Sequence, residues 1–217
     1  MTYSVKEIFY TLQGEGTHTG RAAVFMRFTG CNLWSGLARD RAKAVCHFCD
    51  TDFIGTDGPG GGKFDHAEDL ARRAAQEWRD HMGQGGQPFI VLTGGEPLLQ
   101  VDGPLLQALK AAGFEIAVES NGTIAAPEGI DWLCISPKAD APLVQRSGDE
   151  LKLVYPQELA PPERFENLDF GAFFLQPMDE ALDGSGFSRH ITATIEYCQA
   201  HPKWRLSLQT HKIIGIP

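Results

Sequence analysis

The sequence predicts an α/β fold on a mostly parallel sheet, curled or open. Three observations lead there. Short apolar runs alternate with stretches of helical period, the pattern of repeated βα units. One run, Phe89-Ile-Val-Leu92, is wholly apolar, as suits a parallel strand buried on both faces. The apolar runs also end in polar clusters on their C-terminal side, the end at which parallel α/β barrels build active sites.

In chain order, residues 21–29 read as a strand, and 30–63 as an irregular segment ending in a glycine-rich run from Gly55 to Gly62. That run lacks the spacing and the Lys-Ser/Thr of a phosphate-binding loop, so it reads as a flexible connector. Residues 65–82 predict a helix. Asp65 is its candidate cap, with Glu68 completing a capping box. Ala67, Leu70, Ala71, Ala74, Ala75, Trp78 and Met82 share one face. After strand 89–92 comes a helix with Asp102 as cap, Pro104 in its first turn and Gly113 as its stop. Further strands are expected at 114–118, 132–135, 151–154, 172–175 and 204–208, and a helix opened by Ser188 over 188–200. No repeat of solenoid length is present.

The polar clusters are Thr93-Gly-Gly-Glu-Pro97, Glu119-Ser-Asn-Gly122, Ser136-Pro-Lys138, Gln176-Pro-Met-Asp179 and Gln209-Thr-His-Lys212. A parallel sheet brings them to one mouth. Polar loops alone explain the polarity, but not so many Glu, Lys, Gln and His at one end.

The 217 residues suit a single domain spanning 1–217. A net charge of −9 without a basic stripe argues against nucleic-acid binding. Arg39-Asp-Arg41-Ala-Lys43 is the one dense basic stretch and reads as a solvated face. No apolar stretch has the length of a membrane span, and Met1 to Glu7 shows no signal h-region, so a cytoplasmic location is expected. Five cysteines without an export signal argue against a disulfide framework. Cys134, in an apolar run, and Cys198, in a helical pattern, read as structural thiols.

Cys31, Cys46 and Cys49 stand apart, spaced C-x14-C-x2-C. Thiolates suit an iron–sulfur cluster or zinc. Cys46 and Cys49 flank one tight turn, and Cys31 joins them if Ser35 to Val45 loops away. Zinc, with His47 or another residue as a fourth ligand, is the alternative. Against it, no second C-x2-C and no His-x3–5-His follows. Three thiolates on a four-iron cluster leave one iron open. Arg27 lies in an apolar strand, and because buried charges are normally paired, a ligand-binding role is favoured.

The cysteine trio with Thr93-Gly-Gly-Glu-Pro97 resembles the radical S-adenosylmethionine superfamily. The usual superfamily spacing is C-x3-C-x2-C, from which this chain departs. The longer gap, with Leu12-Gln-Gly-Glu-Gly16 ahead of it and Arg27-Phe-Thr-Gly-Cys-Asn-Leu33 around the first cysteine, is similar to the 7-carboxy-7-deazaguanine synthase family. The likeness runs from residue 12 to Gln209-Thr-His-Lys212.

That resemblance implies a modified, incomplete (β/α) barrel with an expanded cluster-binding loop at 30–63. It implies a [4Fe–4S] cluster on Cys31, Cys46 and Cys49, with S-adenosylmethionine on the open iron. For the cofactor it implies Gly94 and Gly95 in close backbone approach and Glu96 as acceptor of the amine. Lys138, Ser136, Glu119 and Ser120 would meet the carboxylate or ribose, and Phe48 the adenine. Asp50 is counted with this set, and Gln176, Met178 and Asp179 close it from the far strand. The implied substrate is 6-carboxy-5,6,7,8-tetrahydropterin. Leu12, Gln13, Gly14 and Glu15 would meet its aminopyrimidinone edge, Arg27 its carboxylate, and Thr93, His211 and Pro217 would add contacts. Thr51 matches the family's Mg2+ ligand. The implied reaction is a radical ring contraction with loss of ammonia, giving 7-carboxy-7-deazaguanine for queuosine and other 7-deazapurines. A homodimer and an electron donor such as flavodoxin are also implied. Two rivals stay open: an activase that makes a glycyl radical on a protein partner, and a zinc-stapled binding module.

Overall fold

The computed structural model describes residues 2–81, 86–179 and 188–217. Its centre is one sheet of nine strands: β1 (Tyr3–Leu12), β2 (Ala22–Phe28), β3 (Gly62–Phe64), β4 (Phe89–Gly94), β5 (Glu115–Ser120), β6 (Trp132–Ile135), β7 (Ser147–Tyr155), β8 (Asp169–Pro177) and β9 (Arg205–Leu206). The order is β3-β1-β2-β4-β5-β6-β7-β8-β9. From β2 to β9 every pairing is parallel, and β1 runs antiparallel to β2 and β3. With β3 and β9 as its edges the sheet is open, an incomplete barrel.

Alternation along each strand separates two apolar layers. Val24, Met26, Phe28, Ile90, Leu92, Ile116 and Val118 face α1 (Ala67–His81) and α2 (Gly103–Ala111), where Leu70, Ala74, Trp78, Leu105 and Leu109 complete the main core. Ala23, Phe89, Val91 and Ala117 make a smaller cluster with Phe25 and Trp132 on the opposite, inner face. β4 serves both layers, which is why Phe89 through Leu92 are apolar without a break. Ile90 and Leu92 have no exposure, and burying each contributes about 1.5–3 kcal/mol. Further along the same inner face the strands carry Arg27, Thr93 and Glu119.

The Asp102 carboxylate caps α2, accepting from Leu105 N at 3.0 Å and from the Tyr3 hydroxyl at 2.7 Å. Gly113 ends that helix region at φ +90. The first helix departs from expectation at its start. α1 begins at Ala67 and closes its first turn on the His66 carbonyl, so Asp65 stands one residue too early to cap. The Asp65 carboxylate accepts from Thr2 instead, at 3.0 Å. Met82 lies outside the described residues. α3 (Ser188–Ala200) falls where its periodicity places it.

Two strands escaped the sequence reading. In β1 a register shift between Val5 and Glu7 breaks the period-2 pattern. β3 is only three residues long. The run 204–208 contracts to the two residues of β9, and the polar cluster after it folds as α4 (Thr210–Ile214), a short helix in place of a loop. Among the described residues no helix is long and apolar enough to cross a membrane.

Candidate active site

A cavity of about 390 Å³ lies along the inner face and the C-terminal ends of the parallel strands. Every site residue expected from the sequence lines it except Glu96.

One wall is thiol. Cys31 leaves β2, and Cys46 and Cys49 flank the turn that follows the insertion. All three are free thiols packed with Leu33, Phe48, Val154 and Met178. Burial pushes the Cys31 thiol up, against the Leu33 amide that donates to its sulfur at 3.4 Å. A Cys46–Cys49 hydrogen bond lowers the Cys49 thiol to about 6 and raises that of Cys46. His47, between them, is exposed and does not line the cavity, so it is not placed there as the fourth ligand of a zinc site.

The glycines of Thr93-Gly-Gly-Glu-Pro97 have a steric cause. A Cβ on Gly94, at φ +138, would lie 2.3 Å from the Phe28 carbonyl oxygen. One on Gly95 would lie 2.1 Å from that of Gly30. The loop therefore packs directly on the backbone leading to Cys31, with Glu96 N donating to Gly30 O at 2.9 Å. Glu96 itself is fully buried behind the cavity. Its carboxylate accepts from Leu98 N at 2.9 Å, Ser120 Oγ at 2.9 Å and Asn121 N at 2.8 Å. Burial pushes the Glu96 carboxyl up in spite of these donors. The residue thus ties the end of β4 to the end of β5. Beyond it, Lys138 Nζ donates to Ser136 Oγ at 2.5 Å.

The floor is ionic. Lys152, on β7, is buried and donates to Glu15 at 2.6 Å and Glu119 at 2.9 Å. Gln13 donates to Glu119 at 2.8 Å, and Gln176 and Gln209 donate to Glu15 at 3.2 and 3.0 Å. Burial alone would raise the Glu15 carboxyl, but Lys152 and Gln209 hold it below the usual range. Burial likewise opposes the Lys152 charge, which Glu119 and Glu15 sustain. Gln176 Oε1 is buried with no protein donor among the described residues.

At the rim, Lys212 bridges Asp50 at 2.5 Å and Asp179 at 2.6 Å. Arg27, on β2, lies opposite Glu7 of β1 and donates to it through Nε at 2.7 Å. Thr11 Oγ1 donates to the Pro217 carbonyl at 2.8 Å, placing the last residue at the cavity.

The sequence reading missed Lys152, Glu7, Gln209 and Lys212 as individual site residues. For Lys152 the signal was present: a lysine in the apolar run Leu151-Lys-Leu-Val154, the same anomaly that singled out Arg27. Glu7 was hidden with the strand that carries it. Cys134 is buried as expected, its thiol 3.5 Å from Glu150, and Cys198 packs half-buried on the main core.

No family model matches the chain. A 7-carboxy-7-deazaguanine synthase of Caulobacter vibrioides is 61% identical over 217 residues, covering all of both chains. The Bordetella pertussis protein of that name is 59% identical and the Bacteroides thetaiotaomicron one 38%, each over the full length of both chains. The crystal structure of QueE from Escherichia coli shares the fold, with a TM-score of 0.66 at 24% identity over 96% of this chain and 94% of that one.

Proposed function

We infer from the chain's membership of the 7-carboxy-7-deazaguanine synthase family that it is a radical S-adenosylmethionine lyase. It converts 6-carboxy-5,6,7,8-tetrahydropterin to 7-carboxy-7-deazaguanine with loss of ammonia, on the path to queuosine. One observation carries this reading to the residues: a single cavity has three free thiols on one wall and a carboxylate–amide floor on the other.

The donor set fits the implied groups. Cys31, Cys46 and Cys49 are soft, free ligands on one wall, and would hold three irons of a [4Fe–4S] cluster. When bound, the cluster and S-adenosylmethionine supply the one-electron chemistry that a radical ring contraction requires. The rest is the work of this chain. Gly94 and Gly95 leave backbone exposed beside the thiols. Lys138 and Ser136 offer a cation and a hydroxyl to the methionine carboxylate, and Phe48 and Met178 an apolar wall to the adenine. Ser120, Asp50 and Asp179 complete that side. Glu96, buried behind the loop, supports it from below.

On the substrate side, Glu15, Gln13 and the backbone from Leu12 through Gly14 meet the donors of the aminopyrimidinone ring. Glu119, drawn to this floor by Lys152 and Gln13, joins them. The Gln176 oxygen awaits a donor, which a bound ligand can supply. Arg27 uses Nε for Glu7, so its two terminal nitrogens can receive the substrate carboxylate in a bidentate manner. Thr93, His211 and Pro217 line the approach. Thr51 offers a hard oxygen for Mg2+, which keeps several waters and takes few protein ligands. A homodimer and a flavodoxin-type donor rest on the family alone; equilibrium sedimentation and reduction assays with purified flavodoxin test them.

The deciding experiment is anaerobic incubation of purified protein with reductant, S-adenosylmethionine and the carboxypterin, with and without Mg2+. The expected products are 7-carboxy-7-deazaguanine and ammonia. Their absence from every arm overturns the reading.

A further inference from the structure

The insertion between Cys31 and Cys46 is built as a closed loop. Val45 N donates to Leu33 O at 3.2 Å, so the strands of chain leaving Cys31 and entering Cys46 meet at the loop's base. Fourteen intervening residues therefore separate the two cysteines in sequence but not in space. The loop turns at Gly36, φ +82, and continues as a short 3₁₀ helix, Ala38–Lys43.

Arg41 leaves this helix and points back. Its Nη1 donates to His47 O at 2.8 Å and to Cys49 O at 2.8 Å, spanning the turn that carries two of the thiols. Its guanidinium lies over the Trp34 ring at 4.1 Å. Trp34 is itself buried, edge-on to Phe53 at 5.6 Å, with its indole nitrogen donating to Leu37 O at 3.3 Å. The expectation of a purely solvated basic stretch therefore fails at this residue. Arg39 does remain exposed, 80% by side-chain area, with a long 4.0 Å ion pair to Asp40.

We propose that Arg41 is a positioning residue for the iron–sulfur ligands: the insertion exists to return one guanidinium to the Cys46–Cys49 turn. Two carbonyls on one nitrogen fix the turn's curvature, and the Trp34 face fixes the guanidinium. The thiols are then held close before iron arrives, and iron that leaves can be recaptured. This inference rests on the cluster reading above.

The test uses reconstituted holoenzyme under anaerobic conditions and follows iron release to a ferrous chelator. Arg41→Gln is expected to release iron about tenfold faster, the scale of losing charge-assisted bonds, with the metal-free protein still folded by circular dichroism. Arg41→Lys, which can keep the bonds but not the planar stack, should fall between. Arg39→Gln should match the native protein. Native-rate release from Arg41→Gln overturns the proposal. Should that variant take up no cluster, Arg41→Lys decides, with release faster than native supporting the proposal and native-rate release overturning it. A native protein that holds no iron removes the cluster reading and this inference together.

Discussion

The thiol wall and the ionic floor face one cavity but are finished to different degrees. On the floor, Lys152 has two carboxylates, and Glu15 and Glu119 have three amide donors between them. The protein satisfies these charges by itself. On the wall, Cys31 has a backbone amide, while Cys46 and Cys49 have mainly each other. The floor is thus part of the folded structure and the wall a set of ligands in waiting. Changes in the wall should cost function and leave stability intact, whereas changes in the floor should cost both.

The largest effect is expected at the wall. Cys49→Ser should abolish product formation and prevent stable cluster uptake, read as lost iron content and lost visible absorbance. The metal-free variant should nonetheless unfold within about 0.5 kcal/mol of the native protein, because a half-buried thiol is replaced by a similar small group. A collapse in stability would show that the wall is structural after all.

The floor should fail differently. Lys152→Met leaves two carboxylates without their shared cation, and breaking a buried ion pair from one side costs about 3–5 kcal/mol. Denaturant unfolding measures it. Cluster content should stay native while kcat/KM falls by about 10²-fold, about 2.7 kcal/mol of transition-state binding. Pairing the change with Glu15→Gln should recover part of the stability, since one buried charge is then removed.

The same variant has a pH signature. In the native floor the Glu15 carboxyl is depressed, so its contribution is present above the unfolded value and lost as pH falls through the folded one. Lys152 is raised, so its contribution is present below its unfolded value and lost as pH rises through its folded one. Neutral pH lies inside that window. Without Lys152, burial dominates and Glu15 shifts upward. The ratio of variant to native kcat/KM should then be smallest on the acid side and recover toward about pH 8–9, where even a desolvated glutamate ionises. A ratio independent of pH would show that Lys152 does not control the charge of the floor.

What the sequence disclosed follows the same division. The wall was legible because cysteine spacing and the double glycine are local. So were β4, whose two-sided burial gives an unbroken apolar run, and α2, whose cap and stop are adjacent residues. The floor was less legible because it is assembled across the sheet. Gln13, Glu119, Lys152 and Gln209 come from four separate segments, and Lys152 meets Glu15 across 137 positions. Glu7 became visible as the partner of Arg27 only through the pairing of β1 with β2, and the shift after Val5 obscured that strand. The insertion gave its basic residues but not the return of Arg41 to the cysteine turn.

Thr51 lies where the two regions meet, and the smallest effect is expected there. It follows the last cluster cysteine by two positions, lines the cavity, and has its hydroxyl 3.5 Å from Asp50, a spacing too long to commit it. If it is one oxygen ligand among several waters, Thr51→Ala removes one bond from a cation that water can still hold. The Mg2+ concentration for half-maximal rate should then rise about tenfold, as for losing one modest interaction, about 1.4 kcal/mol. The rate at saturating Mg2+, the iron content and the melting temperature should stay near native. An unchanged Mg2+ requirement would remove Thr51 from the metal site. A loss of iron would assign it to the wall, as a support for Cys49.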